Sequence, residues 1–117
     1  ILKKKISINK IYNKKINEIN GLKIVQLPNY AKNNCWLNLL SIHKNYKYNL
    51  KQLINKFTSN NIEVRPVWQL NHRQKMFRKY ETYKIQNSLE LIKYSLCIPS
   101  STNITKKSID RVVSILK

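Results

Sequence analysis

Apolar residues recur along this chain in short phased runs, and the phase changes from one run to the next. Ile8, Ile11, Tyr12, Ile16 and Ile19 fall at the three- and four-residue spacing of one helix face. Gly21 follows where such a helix would close and is read as its C-terminal cap. Leu22 to Leu27 is a short β-rich run that Pro28 ends, and a polar loop covers Asn29 to Asn34. From Trp36 to Ile42 nearly every position is apolar, which predicts a central strand buried on both faces. Leu50, Leu53, Ile54 and Phe57 then sit at i, i+3, i+4 and i+7, an amphipathic helix.

The second half follows the same logic. Asn60-Asn61 turns the chain into a strand over Ile62 to Arg65, which is expected to stop at Pro66. Val67 to Lys84 has no period and carries Trp68, Phe77, Tyr80 and Tyr83. A short helix is predicted over Ser88 to Tyr94 and a short strand over Leu96 to Ile98, closed by Pro99. Ile109, Val112, Val113 and Leu116 mark a last helix, with Thr105 or Asn103 as its N-cap. The expected class is α/β (α+β), with helices packed on a small sheet.

Composition changes the picture in two places. The formal net charge of +18, from 23 basic and 5 acidic residues, raises nucleic acid as a partner. Only Arg65, Arg73, Arg78 and Arg111 are arginines, and the lysines are scattered among Asn and Ile. Base and phosphate recognition favours the bidentate arginine fork. A basic nucleic-acid-binding module therefore stays as the alternative, not as the expected function. Cys35 and Cys97 are too few for a disulfide framework and lie in apolar runs, so free thiols in a cytoplasmic setting are expected. No apolar run is long enough to cross a bilayer. The chain opens on Ile1 without an initiator Met or an apolar stretch behind its first charges, so a longer parent chain is expected and a signal peptide is not.

Most familiar chemistry is missing. With Gly21 as the only glycine, no Gly-rich phosphate loop can form. Cys35, His43, His72 and Cys97 match no usual zinc spacing, and no metal is expected. Glu18, Glu63, Glu81, Glu90 and Asp110 are scattered, and no catalytic residue is nominated. One segment stands apart, Arg65 to Gln74. Arg65 ends a strand, Pro66 sets the turn, and Trp68, His72 and Gln74 emerge on the loop behind it. Arginine, an aromatic ring and an imidazole suit an anionic or sugar-like ligand, through charge-assisted hydrogen bonds and stacking. The plainer alternative stands beside this: Trp68 plugs the core and Arg65 joins a surface ion pair.

The same segment carries a resemblance. Arg65-Pro66-Val67-Trp68, His72, Gln74 and Met76-Phe77 resemble the "RP-x-W, His, Gln or Pro, Met-Phe/Tyr" stretch of the DegT/DnrJ/EryC1/StrS sugar aminotransferases. Asn34-Cys35-Trp36-Leu37-Asn38 is similar to the family's "Asn-Tyr-Trp-Leu-Asn" strand. Asn61-Ile62-Glu63-Val64-Arg65-Pro66 is similar to "Gly-Ile-x-x-Arg-Pro", and Leu96 to Ser101 to "Leu-Pro-Leu-Pro-Ser-Ser". With Ile104 to Leu116 similar to the family's final helix and the opening helix similar to the one that leads out of its large domain, the resemblance covers essentially all 117 residues. The resemblance is strongest to the branch acting on UDP-4-keto-6-deoxy-N-acetylhexosamines on routes to bacillosamine or legionaminic acid.

The resemblance implies that residues 1–117 are the C-terminal small domain of a fold-type I, aspartate-aminotransferase-like homodimer. Pyridoxal 5'-phosphate would be held by a lysine of a large domain outside this chain. Glutamate would be the amino donor and a 4-keto-6-deoxy sugar nucleotide the acceptor. Arg65, Trp68, His72 and Gln74 would then shape the substrate pocket of an enzyme of which this segment alone is inactive. Three departures stand out. Asn61 replaces a glycine, a swap that left-handed geometry tolerates. Cys35 replaces an aromatic, and Gln74-Lys75 stands where Gln-Pro or Leu-Pro is usual.

Overall fold

The computed structural model describes residues 1–117. In chain order the elements are α1 (Leu2–Ile16), β1 (Leu22–Ile24), β2 (Asn38–Ile42), α2 (Leu50–Ser59), β3 (Arg65–Pro66), α3 (Gln86–Lys93), β4 (Ser95–Ile98) and α4 (Lys106–Leu116). Two single turns of 3-10 helix, Asn71–Arg73 and Lys75–Phe77, punctuate the long segment between β3 and α3. The strands form one antiparallel sheet in the order β1-β2-β4-β3. This is the expected mixture of helices and a small sheet.

Residues directly opposite in an antiparallel pair share a face. Leu22 and Ile24, Leu40 and Ile42, and Leu96 and Ile98 therefore line one side of the sheet. On that side α1 lays Ile8, Tyr12 and Ile16, α2 lays Leu53 and Phe57, and α4 lays Ile109, Val112 and Leu116, all in one core cluster. The spacing of these residues is what the helical pattern predicted. The other side of the sheet carries Lys23, Leu39, Ser41, Cys97 and Arg65, by the same register.

Helix ends explain why the helices start and stop where they do. Asn49 caps α2: its Oδ1 accepts from the Gln52 amide at 2.9 Å while Gln52 Oε1 accepts from the Asn49 amide at 2.8 Å. That reciprocal box satisfies two donors left open by helix geometry. Thr105, one of the two expected caps, begins α4 by accepting from the Ser108 amide at 3.1 Å. The last carbonyls of α4 are taken by side chains: Lys56 Nζ donates to Ile115 at 2.9 Å and the Tyr46 hydroxyl to Leu116.

Four expectations are corrected. Gly21 is not the cap of α1, which ends at Ile16 with Asn17 still right-handed. Its φ of +83° serves the turn into β1, and a Cβ there would lie 3.1 Å from Tyr46 Cβ. The first strand stops at Ile24. The second begins at Asn38 and not at Trp36, and its residues alternate between buried and half-buried. One face, with Asn38, Leu40 and Ile42, is fully buried, and the other, with Leu39 and Ser41, is half-covered. Pro66 lies inside β3 and pairs with Leu96. An edge strand can hold a proline because its N–H position faces outward.

Burial pushes the Tyr12 hydroxyl up strongly and the Tyr46 hydroxyl up to about 12, the latter helped by nearby Tyr48. A pKa raised in the folded state means the unfolded chain gives up its proton first. The stabilisation is therefore complete below about pH 10 and is lost as pH climbs towards 12. Chemical-denaturation midpoints should fall over that window, and Tyr46→Phe should flatten part of the fall. Among core residues, Phe57→Ala should cost about 3–5 kcal/mol in the same assay, against about 1 kcal/mol for Asn49→Ala.

Candidate functional site

The segment after β3 leaves the sheet edge and runs outward. Arg65 sits on β3 with its guanidinium largely in solvent. There Nε and Nη2 both bond Glu63 Oε1, at 2.8 and 2.7 Å. Trp68 is 64% exposed, so it does not plug the core. His72 lies in the first 3-10 turn, half-buried. Gln74 braces the loop, with Nε2 at 3.5 Å from the Gln69 carbonyl and 3.4 Å from Asn71 Oδ1.

Two of the four predicted residues meet. Trp68 and His72 line one open groove of about 540 Å³ together with Tyr83 and Glu81. Arg65 lines a different, smaller cavity with Leu37 and Pro99. Gln74 lines neither. The plain alternative for Arg65, a surface ion pair, is what the geometry gives; the plain alternative for Trp68 is not.

Sequence reasoning missed Trp36. It was placed inside a buried strand, yet it is 60% exposed, and its ring centroid lies 5.6 Å from that of Trp68 at a tilt of 36°. The cause is at Cys35, whose φ of +51° redirects the chain just before β2. A left-handed residue is rarely visible in a sequence unless it is glycine or asparagine. Asn61, by contrast, takes φ +54° as its side chain permits.

Behind this surface the remaining motif residues are knotted together. Asn38 is fully buried and accepts from the Asn9 amide at 2.8 Å. Its own amide donates to Ser100 Oγ at 2.9 Å, and its backbone N–H reaches the same oxygen at 3.0 Å. The Tyr12 hydroxyl donates to the Pro99 carbonyl at 3.0 Å. Lys5 Nζ reaches the carbonyls of Trp36, at 3.1 Å, and of Ser100. These contacts fix α1, the start of β2 and the end of β4 at one corner, and Lys5 ties the Trp36 carbonyl to it.

Comparison with known proteins gives this arrangement relatives. A family model for the DegT/DnrJ/EryC1/StrS aminotransferases matches residues 1–117. EpsN of Bacillus subtilis, provisionally named a pyridoxal phosphate-dependent aminotransferase, is 28% identical over 112 residues, covering 90% of this chain and 28% of EpsN. The structure of DesI in the presence of its TDP-sugar product superposes with a TM-score of 0.84 at 14% identity, over 99% of this chain and 30% of DesI. Helicobacter pylori PseC, an aminotransferase of pseudoaminic acid biosynthesis, gives a TM-score of 0.80 at 9% identity, over 98% of this chain and 31% of PseC. At such identities the solved structures establish the fold. The chain spans less than a third of the length of each of these relatives.

Exposure makes a direct test of whether the predicted residues are structural. Trp68→Ala and Arg65→Ala should each shift unfolding by no more than about 0.5 kcal/mol, the range for surface sites. Asn38→Ala should cost several times as much, because it strands buried partners. Urea melts of the three variants against the parent read the difference.

Proposed function

The chain belongs to the DegT/DnrJ/EryC1/StrS aminotransferase family, and from that premise we propose that it is the C-terminal small domain of a pyridoxal-phosphate-dependent nucleotide-sugar aminotransferase. In this reading it forms one wall of the substrate pocket and does none of the bond-making itself. The supporting observation is the groove at Trp68 and His72, set beside the Trp36–Trp68 pair on a chain that spans under a third of its relatives.

The chain's own residues do not fit the cofactor. A pyridinium nitrogen needs a facing acid, and the single aspartate, Asp110, is spent on Lys15 at 2.9 Å. Of the glutamates, Glu63 is held by Arg65. No lysine stands opposite such an acid in an enclosed pocket. In this reading the cofactor is held by a large domain.

What these side chains can do is bind and orient. Two exposed indole faces offer a flat apolar surface to a sugar ring or a base. The His72 imidazole and the Arg65 guanidinium can reach hydroxyl or phosphate oxygens, and Arg65 would have to loosen Glu63 to do so. A 4-keto-6-deoxy sugar nucleotide has these features together, with glutamate as donor. Assembly as a cytoplasmic homodimer belongs to the same proposal.

The nucleic-acid alternative rests on charge. Six lysines, at positions 44, 47, 56, 79, 84 and 93, lie over tyrosine rings of the chain itself at 4.5 to 5.7 Å. Part of the basic surface is thus engaged locally.

The test is a chimera in which residues 1–117 replace the stretch of EpsN that they match. It should transfer an amino group from glutamate to a UDP-4-keto-6-deoxy-N-acetylhexosamine, whereas the chain alone should leave the absorbance of added pyridoxal phosphate unchanged. Trp68→Ala in the chimera should raise KM by about tenfold with kcat nearly intact, the signature of lost binding. Full activity after replacing both Trp68 and His72 by alanine would sink the assignment.

A further inference from the structure

Trp36 is held by side chains and not by the sheet. Its amide donates to Asn34 Oδ1 at 3.0 Å, and its carbonyl accepts from Lys5 Nζ at 3.1 Å. Neither group bonds to backbone, and β2 begins two residues later. Peptide units are planar, so holding the units on both sides of a Cα fixes the direction in which its side chain leaves. The chain reaches this point through a costly step. Cys35, at φ +51°, is neither glycine nor asparagine, and its amide is tied to Asn33 Oδ1 at 2.7 Å. Strained backbone persists where surrounding contacts over-determine it, and it gathers at ligand clamps.

Trp68 is placed differently. No backbone hydrogen bond holds it, and no residue from 65 to 94 is buried. Trp36 is therefore the fixed ring of the pair, and Trp68 the one free to adapt. The anchor of Trp36 is itself rigid. Lys5 is half-buried and lies one turn from Asn9 on the same face of α1, whose Ile8, Tyr12 and Ile16 are in the core. Asn9 meets Asn38, while Lys5 joins the carbonyls of Trp36 and Ser100. An ammonium has three donors and no acceptor, which suits it to bridging two carbonyls.

We infer that Lys5 is a positioning residue for the indole pair: it presets Trp36 as the platform that, together with Trp68, receives the flat face of a ligand. Lys5 touches no ligand in this role and acts through the Trp36 backbone alone. The inference rests on the proposed reading of the two indoles as a binding surface, and adds the group that sets their spacing. A ring already in place does not have to be ordered when the ligand arrives. The gain is therefore in binding and not in turnover.

Trp36 and Trp68 are the only tryptophans of the chain, so tryptophan signals report on this pair alone. Rings 5.6 Å apart couple, and the coupled pair gives a circular-dichroism couplet that neither ring gives by itself. Trp68→Phe supplies the uncoupled baseline. Lys5→Met should collapse the couplet towards that baseline, and Lys5→Arg should restore most of it. Lys3→Met, at an exposed position of the same helix, should leave it intact. Asn34→Ala releases the other side of Trp36 without touching α1, and it should weaken the couplet even where Lys5→Met fails to fold. In the EpsN chimera Lys5→Met should raise KM about fivefold, the cost of ordering one side chain on binding, with kcat nearly intact. A couplet unchanged in Lys5→Met and in Asn34→Ala, with only the melting temperature lowered, would overturn the inference, since Lys5 would then serve only the packing of α1. So would an unmoved KM in an active chimera. The couplet is read on the chain itself, so an inactive parent chimera counts against the aminotransferase reading and leaves the couplet to decide the role of Lys5.

Discussion

A sheet has two faces, and this chain has apolar helix enough for one. α1, α2 and α4 all send their buried residues to the side lined by Leu22, Leu40, Ile42, Leu96 and Ile98. α3, which runs into β4, buries none of its own side chains completely. Alternation along each strand then decides everything else. Every residue that β1, β2, β4 and β3 turn away from the core arrives on a surface that is half covered at most, apart from Ser95. Lys23, Ser41, Leu39, Cys97 and Arg65 are there because their neighbours are in the core. Exposure of groups that could meet a ligand is thus a direct consequence of one-sided packing.

That asymmetry puts weight on the corner where α1 meets the sheet. Side-chain amides are uncommon in cores unless each polar atom is matched. Asn38 is matched by Asn9 on α1 and by Ser100 just past β4, so a single side chain ties three elements that are far apart in sequence. Lys5 adds to the tie by holding the carbonyls of Trp36 and Ser100. Trp36 leaves the chain at this corner and its ring pairs with that of Trp68. Through Lys5, the polar network holds the backbone that carries the Trp36 ring.

The sequence made some of this legible and hid the rest for identifiable reasons. α2 and α4 are legible because each has a full set of apolar residues at helical spacing, although the pattern leaves the cap of α4 open between Thr105 and Asn103. β2 is shorter than its apolar run, because Trp36 and Leu37 are apolar and hydrophobicity alone cannot report the left-handed step at Cys35. Pro66 reads as a stop, although an edge position lets it pair. The loop after β3 was recognisable as the place where Trp68 and His72 emerge. That Arg65 turns to Glu63, two residues back, is a local pairing that periodicity never describes. Trp36 entered through a contact across 32 positions, for which a single sequence carries no signal.

The charge of the chain bears on how these parts share stability. With 23 basic residues against five acidic ones, self-repulsion opposes the compact state. The two ion pairs are partly or largely exposed, and such pairs are each worth about 0–1 kcal/mol. Lysines are instead placed where no acid is needed. Lys56 sits over the Tyr48 ring at 4.5 Å and bonds the carbonyl of Ile115, and Lys47 bonds that of Lys117, at the negative end of α4. Lys14 occupies the same kind of end on α1. These contacts use positive charge without neutralising it. Anionic ligands and acidic surfaces that settle on the open side of the sheet would remove repulsion as well as add contacts, so binding there and folding are coupled through the same excess charge.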